Sequence, residues 1–202
     1  MGQAVQPENG TRFVVALRRF DEANARDANF EIVGGRPQPR ELIYSHWLTE
    51  WVLKLCPDAS EALRLAARCQ HLCRWEIPRA AYPMTRAGYL QWRAGLKIFH
   101  ARKSGEILRE AGYDGDMVRQ VQALNLKQNF PHDPESRVLE DALCLVFLER
   151  QLTDLARKTD DEKVINALRK SWRKMTPAAQ AAARRLEFEA REKGLIERAL
   201  AG

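Results

Sequence analysis

The segment from Val138 to Glu149 is apolar on almost every side of the helix that it predicts. A helix without a polar face has to be covered by other elements of the fold. The other apolar repeats of the chain also have helical spacing, beginning with Phe13, Leu17 and Phe20. We therefore predict an all-α fold, a helical bundle in which the helix from Val138 to Glu149 lies buried at the centre.

Turn-forming residues separate the predicted helices. The helices are expected over residues 11–20, 40–55, 59–73, 85–112, 114–128, 135–149, 164–172 and 177–192. Gly34 and Gly35, followed by two prolines, predict a loop, and Gly194 is expected to cap the last long helix. The carboxylates and amides of residues 21–29 lack the spacing of a calcium loop, so we expect them to cap backbone groups.

The length of the chain sets the number of domains. A chain of 202 residues can form one good core, or a core with a helical appendage. The character of the sequence changes after Asp160, where shorter amphipathic and alanine-rich helices follow. We expect a helical core over residues 1–158 and a C-terminal appendage of helices over residues 159–202 packed on it, with one domain overall as the default.

The charge balance is mildly basic. The net charge of +6 comes from 33 lysines and arginines against 27 aspartates and glutamates, and both signs are interspersed. This excess favours an anionic ligand or loose nucleic-acid contact, although a mixed solvated surface explains it equally well. We see no recognised RNA-binding module, so a nucleic-acid partner is not expected. No apolar stretch approaches the length of a membrane span, so we expect no membrane partner and a cytoplasmic location.

Several cations and aromatic residues are candidates for binding an anionic substrate. They are Arg74, Trp75, Arg79, Arg86, Arg93 and Lys97. The first three lie in a predicted loop rich in guanidinium and aromatic groups. The last three are spaced seven and four residues apart, which stacks them on one side of a helix. This side is either a solvent-exposed face or a wall that binds phosphate.

The histidines and one aspartate are the candidates for chemistry. His46, His71 and His100 fall on successive predicted helices, with Gln70 beside His71. A histidine in such a place is usually a core residue hydrogen-bonded to a carbonyl group. Asp141 begins the apolar run, where burial is costly unless the carboxylate is paired or holds a metal. The four cysteines lack the paired spacing of a structural zinc site, so we expect reduced thiols.

Several motifs resemble an uncharacterised family that is known only as a domain of unknown function. They are Arg74-Trp75-Glu76-Ile77-Pro78-Arg79, Tyr82-Pro83-Met84, Gly88-Tyr89-Leu90 with Trp92-Arg93, and Leu139-Glu140-Asp141 leading to Cys144-Leu145-Val146-Phe147-Leu148-Glu149. Residues near both ends also fit, so the likeness covers nearly the whole chain. It implies membership of a family without implying a function.

The order of His46, Gln70-His71, His100 and Asp141 is similar to the more distant HD-domain superfamily of all-helical proteins. This resemblance implies an HD-domain-like bundle with His46, His71 and Asp141 as ligands of a divalent transition metal, manganese, iron or zinc. It also implies catalytic roles for His100 and Gln70. The sequence departs from that pattern, because Gln70 stands where the superfamily has histidine and His71 where it has aspartate.

The resemblance leads to two hypotheses. One is a metal-dependent phosphohydrolase or phosphodiesterase of HD type that acts on a small phosphorylated metabolite or a nucleotide. The other is a non-catalytic accessory protein that binds an anion or another protein through a degenerate HD-like site. The sequence leaves the oligomeric state open.

Overall fold

Helices dominate the structure. The computed structural model describes residues 9–201, and 73% of the structure is helical, which confirms the predicted all-α class. The helices are α1 (Asn9–Asn24), α2 (Arg40–Leu55), α3 (Glu61–Cys69), α4 (Arg86–Glu110), α5 (Gly115–Leu126), α6 (Pro134–Val146), α7 (Leu152–Lys158), α8 (Asp161–Lys174), α9 (Pro177–Ala183) and α10 (Ala190–Leu200). Two short 3-10 turns lie at Arg74–Glu76 and Arg79–Ala81, and a π-helical segment at Phe147–Gln151 joins α6 to α7.

Helix α6 is the central element, as the apolar run predicts. It packs against α2, α3, α5, α8 and α9. Leu139, Leu145 and Val146 on this helix are fully buried. Asp133 caps its first turn by accepting a hydrogen bond of 2.6 Å from the backbone N–H of Ser136, and Pro134 occupies the first helical position. The helix therefore begins at a fixed point, which sets where its polar residues face.

The chain between α1 and α2 forms a β-hairpin where the sequence predicted a loop. Strands β1 (Phe30–Val33) and β2 (Arg36–Pro39) are antiparallel, with Val33 opposite Arg36. Gly34 and Gly35 form the turn with φ values of 57° and 76°, a region that favours glycine. The prediction missed these strands because each has four residues and β2 contains two prolines.

Side chains from residues 21–29 cap backbone groups, as predicted. Pro39 cannot cap the start of α2 with a side chain, and the Asp27 carboxylate instead accepts a hydrogen bond of 3.1 Å from the Glu41 N–H. The buried Asn24 side chain accepts a hydrogen bond of 2.9 Å from the N–H of Cys73. These bonds tie the end of α1 to the two segments that carry Glu41 and His71.

The C-terminal helices share the hydrophobic core of the rest of the chain. Val164, Ile165 and Leu168 of α8 are buried in the same cluster as the side chains of α2, α3 and α6. The first eight residues of the predicted 1–158 core lie outside the described residues. The four cysteines are free thiols. Within residues 9–201, no helix has the length and apolar character needed to cross a membrane.

The prediction of one helix over 177–192 with a cap at Gly194 is wrong. Helix α9 ends at Ala183, and α10 begins at Ala190 and contains Gly194. Between the two helices, Leu186 and Phe188 pack against the core. Tertiary packing of these two side chains therefore interrupts a segment that is rich in helix-forming alanine and arginine.

Candidate functional site

A cavity of about 470 Å³ lies between α2, α4, α6 and α8. Its basic lining residues are Arg40, Arg74, Arg93, Lys97, Lys127, Arg150, Lys158 and Lys174, and its acidic ones are Glu31, Glu41, Glu140 and Asp154. Positive charge is in excess around this space. Such a surface attracts an anion, since like charges held together destabilise a protein unless a counter-ion meets them.

Four of these cations form what we call the cationic wall: Arg93, Lys97, Lys127 and Lys174. Arg93 and Lys97 are four residues apart on α4, which places them on one face of that helix. Lys127 follows the last residue of α5 in a left-handed conformation with φ of 57°, and Lys174 is the last residue of α8. Helix α4 and the C-terminal ends of α5 and α8 thus bring their cations to the same cavity.

The carboxylate among these cations is Glu140. Its side chain is buried and accepts hydrogen bonds from the ammonium groups of Lys127 and Lys174, the latter at 2.9 Å. Burial alone would raise the pKa of Glu140, but the two lysines hold it below its usual value. Lys97 makes no ion pair within the described residues. Burial, together with neighbouring cations that include Lys127, lowers the pKa of Lys97.

A second part of the cavity lining, which we call the neutral end, consists of Gln70, His71 and His100. His100 is buried, and its Nδ1 lies 2.8 Å from the carbonyl oxygen of Leu72. Because a carbonyl oxygen only accepts hydrogen bonds, Nδ1 carries the proton and Nε2 is left as an acceptor. Burial, and then the proximity of His71, lower the pKa of His100 to about 3, so the ring is neutral at pH 7.

His71, like His100, has its Nδ1 next to an oxygen atom of the chain. Its ring stacks on Tyr44 with 4.3 Å between centroids, and its Nδ1 lies 3.4 Å from a carboxylate oxygen of Glu41. Burial lowers the pKa of His71, although Glu41 opposes this shift. The neutral ring directs its Nδ1 proton to Glu41 and keeps Nε2 as an acceptor. Gln70 is buried, and its side-chain oxygen has no hydrogen-bond partner among the residues that the structure describes.

The neutral state of His100 predicts an acid sensitivity. A histidine with a lowered folded-state pKa stabilises the fold fully above its unfolded pKa of 6.5, and the contribution is lost as the pH falls from 6.5 towards about 3. Between pH 6 and pH 5, the wild type should lose about 1 kcal/mol more unfolding free energy than His100→Gln. Urea unfolding at both pH values measures this difference. Equal losses in the two proteins would contradict it, since every other titrating group is shared.

The structure brings part of the predicted site together. The predicted residues that line the cavity are Gln70, His71, Arg74, Arg93, Lys97 and His100. Trp75, Arg79 and Arg86 do not line it. Arg79 instead donates hydrogen bonds to the carbonyl oxygens of Tyr82 and Pro83, at 3.0 and 2.7 Å, and so holds its own loop in place.

The three predicted metal ligands are not brought together. His46 Nε2 lies 3.7 Å from an oxygen of Asp21, whereas His71 Nδ1 lies 3.4 Å from an oxygen of Glu41. Asp141 accepts hydrogen bonds from the N–H and hydroxyl of Thr176, at 2.9 and 2.5 Å, and thereby anchors the start of α9. Over residues 9–201, no three His, Cys, Asp or Glu side chains are grouped to hold a metal ion. These residues do not fit one shared metal, and the divalent metal stays a prediction.

Sequence reasoning missed Glu140, although the signal was present. Glu140 and Asp141 lie in the same apolar run, and consecutive residues of a helix point about 100° apart. Glu140 shares its face with Leu143 and Cys144, three and four residues later, and these also line the cavity. Asp141 faces α9. Deciding which of the two carboxylates faces the cavity therefore required the positions of the other helices.

The π-helical segment also contributes to the cavity, through Phe147, Arg150 and Gln151. A π-helical turn holds one residue more than an α-helical turn and frequently occurs at functional sites. Here the arginine rests over the ring of Trp47, with 5.0 Å between the guanidinium carbon and the ring centroid. The segment thus adds to the cavity lining a cation that is held against an aromatic ring.

A protein-family model matches most of the chain. The model of a family described as "Domain of unknown function (DUF4202)" matches residues 14–196, which confirms the family predicted from the motifs. No curated protein and no solved structure matches the chain. The HD-domain resemblance is not shown by these comparisons and stays a prediction.

Proposed function

We propose that this chain, which belongs to the DUF4202 family of domains of unknown function, binds a small phosphorylated ligand in its cavity. The phosphoryl group lies on the cationic wall. The observation that supports this is the convergence of Arg93, Lys97, Lys127 and Lys174 on the same cavity, with Glu140 as their buried counter-charge. Ammonium and guanidinium groups are the usual partners of phosphate in proteins.

Lys97 is the cation best suited to meet the ligand. Lys127 and Lys174 are already engaged by Glu140, whereas Lys97 has no carboxylate partner within the described residues. An anion that binds beside Lys97 compensates the repulsion that its neighbouring cations exert on it. The ligand would therefore stabilise the protein as well as occupy the site.

Binding is better supported than hydrolysis. A general base is most effective when its pKa lies near the working pH. His100, the predicted catalytic residue, has a pKa lowered to about 3 and is a weak base at pH 7. Its role in our proposal is to accept a hydrogen bond from the ligand. The metal-dependent hydrolase predicted from the sequence stays a prediction, because its three metal ligands lie with separate partners.

The proposal is tested with pyrophosphate as the probe, by isothermal titration calorimetry at constant ionic strength. The wild type should bind pyrophosphate, and Lys97→Met should bind it at least tenfold more weakly, because one charge-assisted hydrogen bond contributes about 1.5–3 kcal/mol. The matched control is Lys103→Met. Lys103 lies on the same helix but pairs with Glu76 outside the cavity, and this variant should bind like the wild type.

Two results would overturn the proposal. One is a wild type whose pyrophosphate binding is no stronger than its response to an equal ionic strength of potassium chloride. The other is equal loss of affinity in the Lys97 and Lys103 variants, which would mean that overall charge, and not this cavity, attracts the anion.

A further inference from the structure

The neutral end of the cavity selects a different chemical group from the cationic wall. His71 Nε2 and His100 Nε2 are acceptors, because each Nδ1 proton is directed to an oxygen of the chain itself. The oxygen of the Gln70 amide adds a third acceptor, which is buried and unpartnered among the described residues. A buried acceptor without a donor is costly, so the Gln70 oxygen calls for a ligand that donates hydrogen bonds, and the two Nε2 atoms can accept further hydrogen bonds from it.

A phosphoryl group cannot meet this requirement, because at neutral pH its oxygens mainly accept hydrogen bonds. Hydroxyl groups can, since each has a proton to donate. The two ends also belong to one space: Gln70, His71 and His100 line the same cavity as Lys97 and Lys174. His100 follows Lys97 by three residues on α4, about one helical turn, so the two ends lie within reach of one small molecule.

The aromatic rings at the cavity do not favour a flat base. One face of Tyr44 is covered by His71, and one face of Trp47 by the guanidinium group of Arg150. Stacking partners from the chain itself therefore already occupy part of these surfaces. A ligand that contributes hydroxyl groups fits the remaining polar surface better than a nucleobase does.

We infer that the ligand is a phosphorylated polyhydroxy compound of the sugar phosphate class, with its phosphoryl group on the cationic wall and its hydroxyl groups on Gln70, His71 and His100. This inference rests on the proposed function. It adds the class of ligand and assigns Gln70 and His71 as residues that determine specificity.

The test is a calorimetric titration of the wild type with glucose 6-phosphate, fructose 6-phosphate, ribose 5-phosphate and glycerol 3-phosphate. Inorganic phosphate, pyrophosphate and AMP are the comparison ligands. At least one sugar phosphate should bind tenfold more tightly than inorganic phosphate, since two or three hydrogen bonds to these acceptors add about 1.4 kcal/mol or more. AMP should bind more weakly than that sugar phosphate.

Variants separate the neutral end from the wall. Gln70→Met keeps the size of the side chain, and His71→Phe keeps a ring against Tyr44 if the first variant fails to fold. Each should weaken the sugar phosphate at least fivefold and leave pyrophosphate within twofold of the wild type, because pyrophosphate does not need the neutral end. Gln128→Met, at an exposed position outside the cavity, is the matched control and should change neither.

The outcomes distinguish this inference from the proposed function. If pyrophosphate binds in a Lys97-dependent way but no sugar phosphate exceeds inorganic phosphate, or AMP exceeds them all, the inference fails and the proposed function stands. Equal losses of pyrophosphate and sugar phosphate in Gln70→Met and His71→Phe would also overturn the inference. If no phosphorylated probe binds at all, both fail.

Discussion

Glutamine in place of Glu140 should lower the free energy of unfolding by about 3 kcal/mol at pH 7, because it removes the buried counter-charge of Lys127 and Lys174. The value is at the low end for a broken buried ion pair, since the side chain of Lys174 is 52% exposed and water can solvate it. Urea unfolding followed by circular dichroism measures the loss. The control is Glu106→Gln, which breaks an exposed pair with Arg102 and should cost less than 1 kcal/mol.

The same variant should respond more strongly to an anion. Glu140 competes with the ligand for the two lysines, so its removal leaves the cationic wall without a carboxylate. Pyrophosphate should therefore bind more tightly to Glu140→Gln than to the wild type and restore most of the lost stability. A variant that is destabilised but insensitive to pyrophosphate would contradict this account of the wall.

The pH dependence has a definite sign. A carboxylate whose folded-state pKa is lowered stabilises the fold above its unfolded pKa of 4.5, and this contribution is lost as the pH falls through the folded value. The difference between wild type and Glu140→Gln should thus be constant near neutral pH and shrink below pH 4.5. A difference that does not shrink at all as the pH falls below 4.5 would mean that the glutamine disturbs packing and not charge.

The sequence predicts the fold class well because helical periodicity is a local property. The bounds of α2 at Arg40–Leu55 agree with the predicted helix, since its apolar stripe begins directly after Pro39. The hairpin was missed because strands β1 and β2 depend on each other, and neither has a strong pattern alone. The break between α9 and α10 was missed because Leu186 and Phe188 leave the helix to join a core that only the fold creates.

The residues of the candidate site also fall into those whose location the sequence predicts and those whose location it does not. Arg93, Lys97 and His100 lie at helical spacing on α4, so their common location could be predicted from that helix. Lys127 and Lys174 stand at the ends of α5 and α8, and nothing local to either residue indicates that they meet at Glu140. Asp141 attracted a metal interpretation because a buried carboxylate needs a partner, and the partner is Thr176, 35 residues later. Long-range pairing of this kind is not visible in one sequence.

Alanine in place of Gly88 should have an effect as large as that of the Glu140 variant. A Cβ atom at Gly88 would lie 2.2 Å from the carbonyl oxygen of Pro83, which is backbone and cannot rotate away. That oxygen also accepts the hydrogen bond from Arg79. The first turn of α4 and the loop before it would have to separate, at a cost of about 3 kcal/mol in unfolding free energy.

The consequence should reach the cavity, because the same loop supports the cations there. Trp92 donates a hydrogen bond of 2.9 Å to the carbonyl oxygen of Ile77, and the guanidinium carbon of Arg74 lies 4.8 Å from the centroid of the Trp92 ring. A displaced loop would move Trp92 and with it Arg93, the next residue and a member of the cationic wall, so pyrophosphate affinity should fall together with stability in Gly88→Ala. Calorimetry of the variant at a temperature where it remains folded separates the two effects.

The matched control is Gly95→Ala on the same helix. The nearest atom to its added Cβ would be the hydroxyl oxygen of Tyr82 at 3.3 Å, at the end of a side chain that can move. Since alanine is favoured over glycine inside a helix by about 0.5–1 kcal/mol, this variant should be as stable as the wild type or more stable. Equal costs at the two positions would show that glycine in α4 serves flexibility and not the close approach of the Pro83 backbone.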